Sequence, residues 1–178
     1  MDTWPDQVCA LFHHLGNCMK ACHTFCGSAS TIIACVTVKP LALADLRGRV
    51  VLLHAFQMLC PGCVAHALPQ AARVARLFAG TPLAVIGLHT VFEHHEAMAL
   101  PSLRAFVHEY RIAYPVGVDM PGEHGQPIPR TMQAYGMQGT PTTILIDAQG
   151  RLRLQAFGQL DDLLLGAEIG ALLGARRE

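Results

Sequence analysis

Residues 50–63 read VVLLHAFQMLCPGC and join an apolar run to a pair of cysteines. The run over residues 50–56 has almost no polar side chain, which is typical of a strand covered on both faces of a sheet. Cys60 and Cys63 follow within a few residues, and residues 61–78 have the periodicity of a helix. The pair is therefore predicted to lie where a central strand passes into a helix.

The predicted position of the two cysteines indicates redox chemistry. The first N–H groups of a helix have no partner within it and carry partial positive charge, which stabilises a thiolate and lowers its pKa. We expect Cys60 to be the nucleophile and Cys63, one turn deeper, to be the resolving thiol in exchange with a disulfide. Pro61 suits the first helical turn, and Gly62 lets the chain close between the sulfurs. The two thiols carry the electrons, so no organic cofactor is expected, although a dithiol donor or a reductase must recycle them.

The flanking sequence predicts a mixed sheet with helices on it. Residues 83–88 form a second apolar run, at a distance that suits a parallel crossover from the first. Farther along we expect a helix at 102–111, a short strand at 114–118, a loop at 119–129 with a short helix after it, a hairpin of strands 142–147 and 151–157, and a last helix at 161–173.

Residues 1–39 are predicted to be an N-terminal extension of unclear role, and residues 40–178 to be the main domain. Apolar side chains recur at helical spacing over residues 5–26, and a β-branched stretch at 31–38 is typical of a strand. Cys18, Cys22 and Cys26 would line one stripe of that helix, either as packing residues or as soft metal ligands.

The amino-acid composition excludes several classes of protein. The chain has 178 residues, 52% hydrophobic and 15% charged, which is typical of a packed globular protein. Thirteen basic residues balance thirteen acidic ones, so net charge favours neither nucleic acid nor an anionic membrane. No apolar run is long enough to span a bilayer, and we expect a soluble protein. The odd count of seven cysteines and the charged side chains among the first thirty residues favour a reducing, cytoplasmic location over export.

Two motifs resemble a known family. They are FQMLCPGC at residues 56–63 and GTPTTILID at residues 139–147, and together they resemble the redoxin branch of the thioredoxin superfamily over about residues 41 to 175. That branch includes bacterial cytochrome-maturation thioredoxins and the alkyl hydroperoxide reductase and thiol-specific antioxidant group. The resemblance implies an α/β fold with a thioredoxin-like mixed central sheet, and thiol-disulfide exchange with protein or small-molecule disulfides.

The resemblance also implies a substrate site. The proline equivalent to Pro141 is cis in that family and faces the cysteine pair, and the residue before it, here Thr140, offers its backbone to the substrate. We therefore assign Pro61, Thr140 and Pro141 to substrate binding. Many relatives have an acid or amide at the place of His54, so this histidine is either a hydrogen-bonded core residue or the group that takes the proton of Cys63.

Two other functions stay open at this point. A thiol-dependent peroxidase with antioxidant activity is one, although a peroxiredoxin would have a Pro and a Thr where this chain has Leu53 and Gln57. A copper or zinc binding protein is the other, although no second Cys-x-x-Cys pair follows Cys63. Five histidines in the middle of the chain could bind metal or sense pH, but solvated loop positions are the simpler interpretation; they are His89, His94, His95, His108 and His124.

Overall fold

The computed structural model describes residues 32–35, 41–123 and 126–175. The predicted helix at 5–26, with Cys18, Cys22 and Cys26, lies outside the described residues, as does His124. Within the described ranges, no helix has both the length and the apolar character needed to cross a bilayer.

The described residues contain seven strands and four α-helices. The strands are β1 (Ile32–Cys35), β2 (Leu41–Ala42), β3 (Val50–Phe56), β4 (Leu83–His89), β5 (Val116–Val118), β6 (Thr142–Ile146) and β7 (Leu152–Phe157). The helices are α1 (Leu68–Leu77), α2 (Leu100–Glu109), α3 (Arg130–Ala134) and α4 (Asp162–Gly174). A 3-10 turn occupies Leu43–Leu46, and a π-helical turn occupies Cys63–Ala67. The predicted strands and helices of the main domain are thus confirmed, with shifts of a few residues at their ends.

The strands form one mixed sheet in the order β2-β1-β5-β4-β3-β6-β7. The pairs β3 with β4 and β4 with β5 are parallel, as the predicted crossover requires, whereas β6 pairs antiparallel with β3 and β7 pairs antiparallel with β6. Strand β1 pairs antiparallel with β5, so the strand predicted ahead of residue 39 belongs to this sheet. The five strands from β5 to β7, flanked by helices, confirm the predicted fold class.

Strand β3 is buried along its whole length because both faces of the sheet are covered. On one face its side chains pack with residues of α1, α2 and α4; the residues from β3 are Val50, Leu52 and Phe56. On the other face Val51, Leu53 and Ala55 pack with a cluster that includes Met132 of α3. This arrangement explains why the sequence of β3 is apolar at nearly every position rather than at every second one.

A buried carboxylate ties α3 to the carboxyl ends of β4 and β5. Asp119 Oδ1 accepts the N–H of Thr131 at 2.9 Å, and its Oδ2 accepts the N–H of Met132 at 3.1 Å and the hydroxyl of Thr90 at 2.8 Å. The Asp119 N–H donates to the carbonyl of His89 at 3.0 Å. The carboxylate thus satisfies N–H groups at the start of a helix that have no partner inside it.

We expect Asp119→Ala to lower the free energy of unfolding by about 3 kcal/mol, because three buried donors lose a charged acceptor. Asp161→Ala is the control, since Asp161 caps α4 through the N–H groups of Leu163 and Leu164 at an exposed position. That variant should lose about 1 kcal/mol. Urea unfolding followed by circular dichroism compares the two, and equal losses would contradict a special role for the Asp119 network.

Candidate active site

The two cysteines lie at the carboxyl end of β3, where the chain turns into a helix. The N–H of Cys60 donates to the carbonyl of Gln57 at 3.1 Å, and residues 61–77 are helical. Both cysteines are free thiols; Cys60 is partly exposed and Cys63 is buried. The structure therefore places the pair at the strand-to-helix junction that the sequence predicts.

The sulfur of Cys60 contacts two backbone groups. The N–H of Cys63 donates to Cys60 Sγ at 3.3 Å, and the Cys60 thiol donates to the carbonyl oxygen of Thr140 at 3.4 Å. A backbone N–H directed at sulfur favours the thiolate, since the partial positive charge lies beside the atom that would become negative. The arrangement can hold both the protonated and the ionised forms of this sulfur.

Cys63 differs sharply from Cys60 in its surroundings. Burial raises the pKa of Cys63 to about 12, and the hydrogen bond with Cys60 adds to that rise. Its side chain packs in the cluster that contains Leu52, Phe56 and Leu68. Cys63 is therefore a thiol at neutral pH, out of reach of bulk solvent.

The helix that follows Cys63 begins with a widened turn. The N–H of Leu68 donates to the carbonyl of Cys63, five residues back, which closes the π-helical turn. Pro69, which has no N–H to donate, comes directly after this turn at the beginning of α1. The π-helical turn thus lies between Cys60 and Pro69, and such turns are frequent at functional sites.

The loop before β6 carries the predicted cis proline. The Thr140–Pro141 bond is cis, which confirms what the family resemblance implies. Pro141 is buried, and a Cβ atom built on Gly62 would lie 3.5 Å from its Cδ, so the proline packs beside the start of the helix. The N–H of Gly158 donates to the Pro141 carbonyl at 2.8 Å and attaches this loop to the end of β7.

A groove of about 630 Å³ runs past Cys60. Of the residues assigned from the sequence, Cys60, Pro61 and Thr140 line it, whereas Pro141 is buried and is not among the lining residues. The remaining lining residues come from the turn before Cys60, the loop after β4, the cis-proline loop and the end of β7; they are Gln57, Leu59, Phe92, Glu93, His94, Ala97, Met98, Gln138, Gly139 and Phe157.

Gln57 belongs to the site, although the sequence predicted no role for it in holding the site together. Its side chain is buried, its Oε1 accepts the N–H of Phe92 at 3.3 Å, and its Nε2 donates to Glu93 Oε1 at 3.3 Å. It thus holds the loop after β4 against the turn that carries Cys60. A polar residue directly after an apolar strand and before the cysteines is the signal that could have found it.

His89 contradicts the interpretation of the middle histidines as solvated loop residues. It is the last residue of β4, is 1% exposed, and its Nε2 accepts the N–H of Met58 at 3.4 Å. Burial lowers the pKa of His89 to about 4. The prediction is wrong for His89 because the strand extends one residue beyond the apolar run; His94, His95 and His108 are exposed.

His54 is buried in the middle of the sheet, on the face of β3 that includes Leu52 and Phe56. Its ring stacks on Phe56 with centroids 5.5 Å apart, and burial lowers the pKa of His54 to about 4. Its Nε2 has no hydrogen-bond partner among the described residues. The structure thus places His54 in the core, without the hydrogen bond that a core role would predict at that nitrogen, and the choice between its two predicted roles stays open.

Among residues 32–35, 41–123 and 126–175, no group of three or more histidine, cysteine, aspartate or glutamate side chains could hold a metal ion.

Comparisons with known proteins agree with the geometry. A model of the AhpC/TSA family matches residues 25–155. A crystal structure of a thioredoxin-like superfamily protein is 54% identical, with a TM-score of 0.76 over 82% of this chain and 96% of that one. A thiol-disulfide isomerase from Corynebacterium glutamicum is 46% identical, with a TM-score of 0.79 over 85% and 97%.

A more distant structure shares the fold. A secreted Mycobacterium tuberculosis disulfide oxidoreductase homologous to E. coli DsbE is 18% identical, with a TM-score of 0.63 over 80% of this chain and 96% of that one. No protein in a search of curated sequences matches the chain. The fold is therefore thioredoxin-like, and its similar structures include thiol-disulfide oxidoreductases.

Acid should destabilise the protein through its two buried histidines. The unfolded chain protonates histidine near pH 6.5, whereas folded His54 and His89 resist protonation down to about pH 4. The unfolded state therefore binds more protons in this window, and stability falls as pH falls from 6.5 towards 4, by roughly 3 kcal/mol for each histidine. Urea unfolding across this range should show a shallower pH slope for His54→Leu than for the parent, and equal slopes would contradict the assignment.

Proposed function

The chain belongs to the AhpC/TSA family, and on that premise we propose that it is a thiol-disulfide oxidoreductase in which Cys60 attacks a disulfide and Cys63 completes the exchange. The observation that carries this proposal is the position of the Cys60 sulfur. It is partly exposed in a groove, with the N–H of Cys63 3.3 Å away at the start of a helix. A sulfur in these surroundings is open to a disulfide that enters the groove.

The exchange balances with the two thiols alone. The Cys60 thiolate attacks one sulfur of the substrate disulfide, the substrate S–S bond breaks, and the leaving sulfur takes the electron pair and a proton. Cys63 then loses its proton and attacks Cys60 Sγ, and the second substrate sulfur leaves as a thiol. Two electrons pass to the substrate and the chain ends with a Cys60–Cys63 disulfide. A dithiol donor or a reductase restores the thiols, and the same steps in reverse oxidise a substrate dithiol.

The different burial of the two thiols supports this division of roles. With its pKa raised to about 12, Cys63 cannot compete for the substrate as a thiolate. Once Cys60 is joined to the substrate, its sulfur becomes the nearby electrophile that Cys63 can attack. Thr140 and Pro61, which line the groove, and the buried cis-Pro141 would position the substrate segment.

His54 is proposed to receive the proton of Cys63. Its unpartnered Nε2 and its place on the face of β3 that packs with the Cys63 cluster support that role. A histidine with a pKa near 4 is too weak a base to ionise the resting Cys63 thiol. The proton would therefore move as the new S–S bond forms, when the thiol is most acidic.

The side chain of Gln57 argues against a dedicated peroxidase. Its amide is hydrogen-bonded to Phe92 and Glu93 rather than to Cys60.

We propose a reducing, cytoplasmic location for the reaction, supported by the odd number of cysteines, seven in all.

Cys63→Ser should trap the reaction halfway. With insulin as the disulfide substrate, this variant is expected to accumulate a covalent adduct on Cys60, visible as added mass that dithiothreitol removes. Turnover with dithiothreitol as the reductant should fall towards the uncatalysed rate, because only the external thiol is left to resolve the adduct. Cys60→Ser should form no adduct. An adduct on Cys63, or turnover retained by Cys60→Ser, would overturn the proposal, and peroxide consumption faster than insulin reduction would favour the peroxidase instead.

His54→Leu should separate the two chemical steps. Capture of substrate by Cys60 should keep its rate, whereas resolution by Cys63 should slow by at least about tenfold, since general-base catalysis contributes 100-fold or more in favourable cases. Rapid-quench mass spectrometry resolves the phases. His66→Leu, at an exposed position in the helix, is the control and should leave both phases unchanged. Unchanged resolution in His54→Leu would make His54 a core residue only.

A further inference from the structure

One wall of the groove is an exposed aromatic ring. Phe157 is the last residue of β7 and is 55% exposed, although it is large and apolar. A Cβ atom built on Gly139 would lie 2.9 Å from its Cε2 and 3.3 Å from its Cζ. The ring therefore lies directly over the backbone of Gly139, next to the residue whose carbonyl contacts the Cys60 thiol, and a larger residue at position 139 would displace the ring from this place.

A second exposed apolar side chain stands beside Cys60. Leu59 is 54% exposed and lines the same groove as Phe157. Large apolar side chains exposed around a reactive atom indicate a surface that is covered by a ligand when the site is in use. The groove thus offers apolar contact close to the sulfur that a substrate cysteine must reach.

The loop after β4 contributes an acidic side chain to the groove. Among the described residues, Glu93 is the only acidic side chain that lines the groove, and no lysine or arginine lines it. Gln57 fixes this carboxylate by donating to its Oε1, and among the described residues no cation lies within ion-pair distance of it. An anchored carboxylate without a cationic partner attracts a positive charge on the substrate.

We propose that Phe157 and Glu93 determine the specificity of this site, selecting a cysteine in a polypeptide segment that also carries a large apolar side chain and a basic residue. This inference rests on the proposed function, because it concerns what reaches Cys60. A small disulfide of net negative charge such as oxidised glutathione is expected to fit poorly, since no lysine or arginine among the described residues lines the groove to pair with its carboxylates. The substrate class is thus a basic, apolar protein segment rather than an anionic small molecule.

Peptide disulfides test the charge preference. Two peptides that differ only by Lys or Glu near the cysteine are compared by kcat/KM with the full-length protein. The parent should prefer the Lys peptide by about fivefold at low salt, the upper range for one exposed ion pair, and the preference should shrink as salt increases. Glu93→Gln should bring the ratio close to one and Glu93→Lys should invert it. Glu96→Gln removes the same charge from the same loop outside the groove and should keep the parental ratio.

A second pair of peptides, with Leu or Ser beside the cysteine, tests the apolar wall. Phe157→Ala should raise KM for the Leu peptide by roughly fivefold to tenfold, with little change in kcat, because the ring contributes buried area and no chemistry. Leu163→Ala is the control, since Leu163 is 84% exposed on α4 and does not line the groove. That variant should keep the parental preference for Leu over Ser.

The outcomes distinguish the two proposals. If the parent reduces the peptides but Glu93→Gln and Phe157→Ala behave like their controls, the specificity inference is overturned and the oxidoreductase proposal stands. The same conclusion follows if oxidised glutathione is reduced as efficiently as the Lys peptide. If the parent exchanges with none of these disulfides, both proposals are overturned.

Discussion

The positions of the other parts of the site depend on the burial of β3 on both faces. All seven of its side chains are buried, and a shift of one residue along the neighbouring strands would move each of them into the cluster on the opposite face, which is packed around different side chains. The strand therefore ends at Phe56 in a fixed position, and the turn after it delivers Cys60 to the start of the helix. The 3.3 Å contact between the Cys63 N–H and Cys60 Sγ forms there, between residues three apart in the first turn of the helix.

The carboxyl ends of the parallel strands supply the polar support for this turn. Gln57 follows β3, His89 ends β4, and Asp119 follows β5, and all three are buried and hydrogen-bonded. Together they connect the turn of Cys60, the loop that carries Glu93, and helix α3. Ligand sites in open α/β sheets lie at this edge, because the parallel strands bring their loops together there.

The sequence predicts the parts of the site that depend on local pattern. The apolar runs give β3 and β4, and the cis bond at Pro141 follows from a motif. Residues whose roles depend on distant partners are missed: His89 is bonded to Met58, 31 residues away, and Gln57 to Phe92, 35 residues away. Alternation in β7 places Phe157 on the exposed face, but nothing in that pattern shows that the backbone of Gly139 lies under its ring.

The chemistry and the recognition in this site depend on different kinds of charge. Buried His54 and His89 are neutral at neutral pH, and the groups in contact with Cys60 Sγ are backbone dipoles fixed by the fold, the N–H of Cys63 and the carbonyl of Thr140. Fixed dipoles at contact distance are screened little by salt, whereas the exposed carboxylate of Glu93 is screened within about 8 Å at physiological ionic strength. Salt should therefore weaken the choice of substrate while leaving the reactivity of the sulfur nearly unchanged. Substitutions at Glu93 and Phe157 can then alter the specificity of the groove without disturbing β3, the strand that holds the cysteines in place.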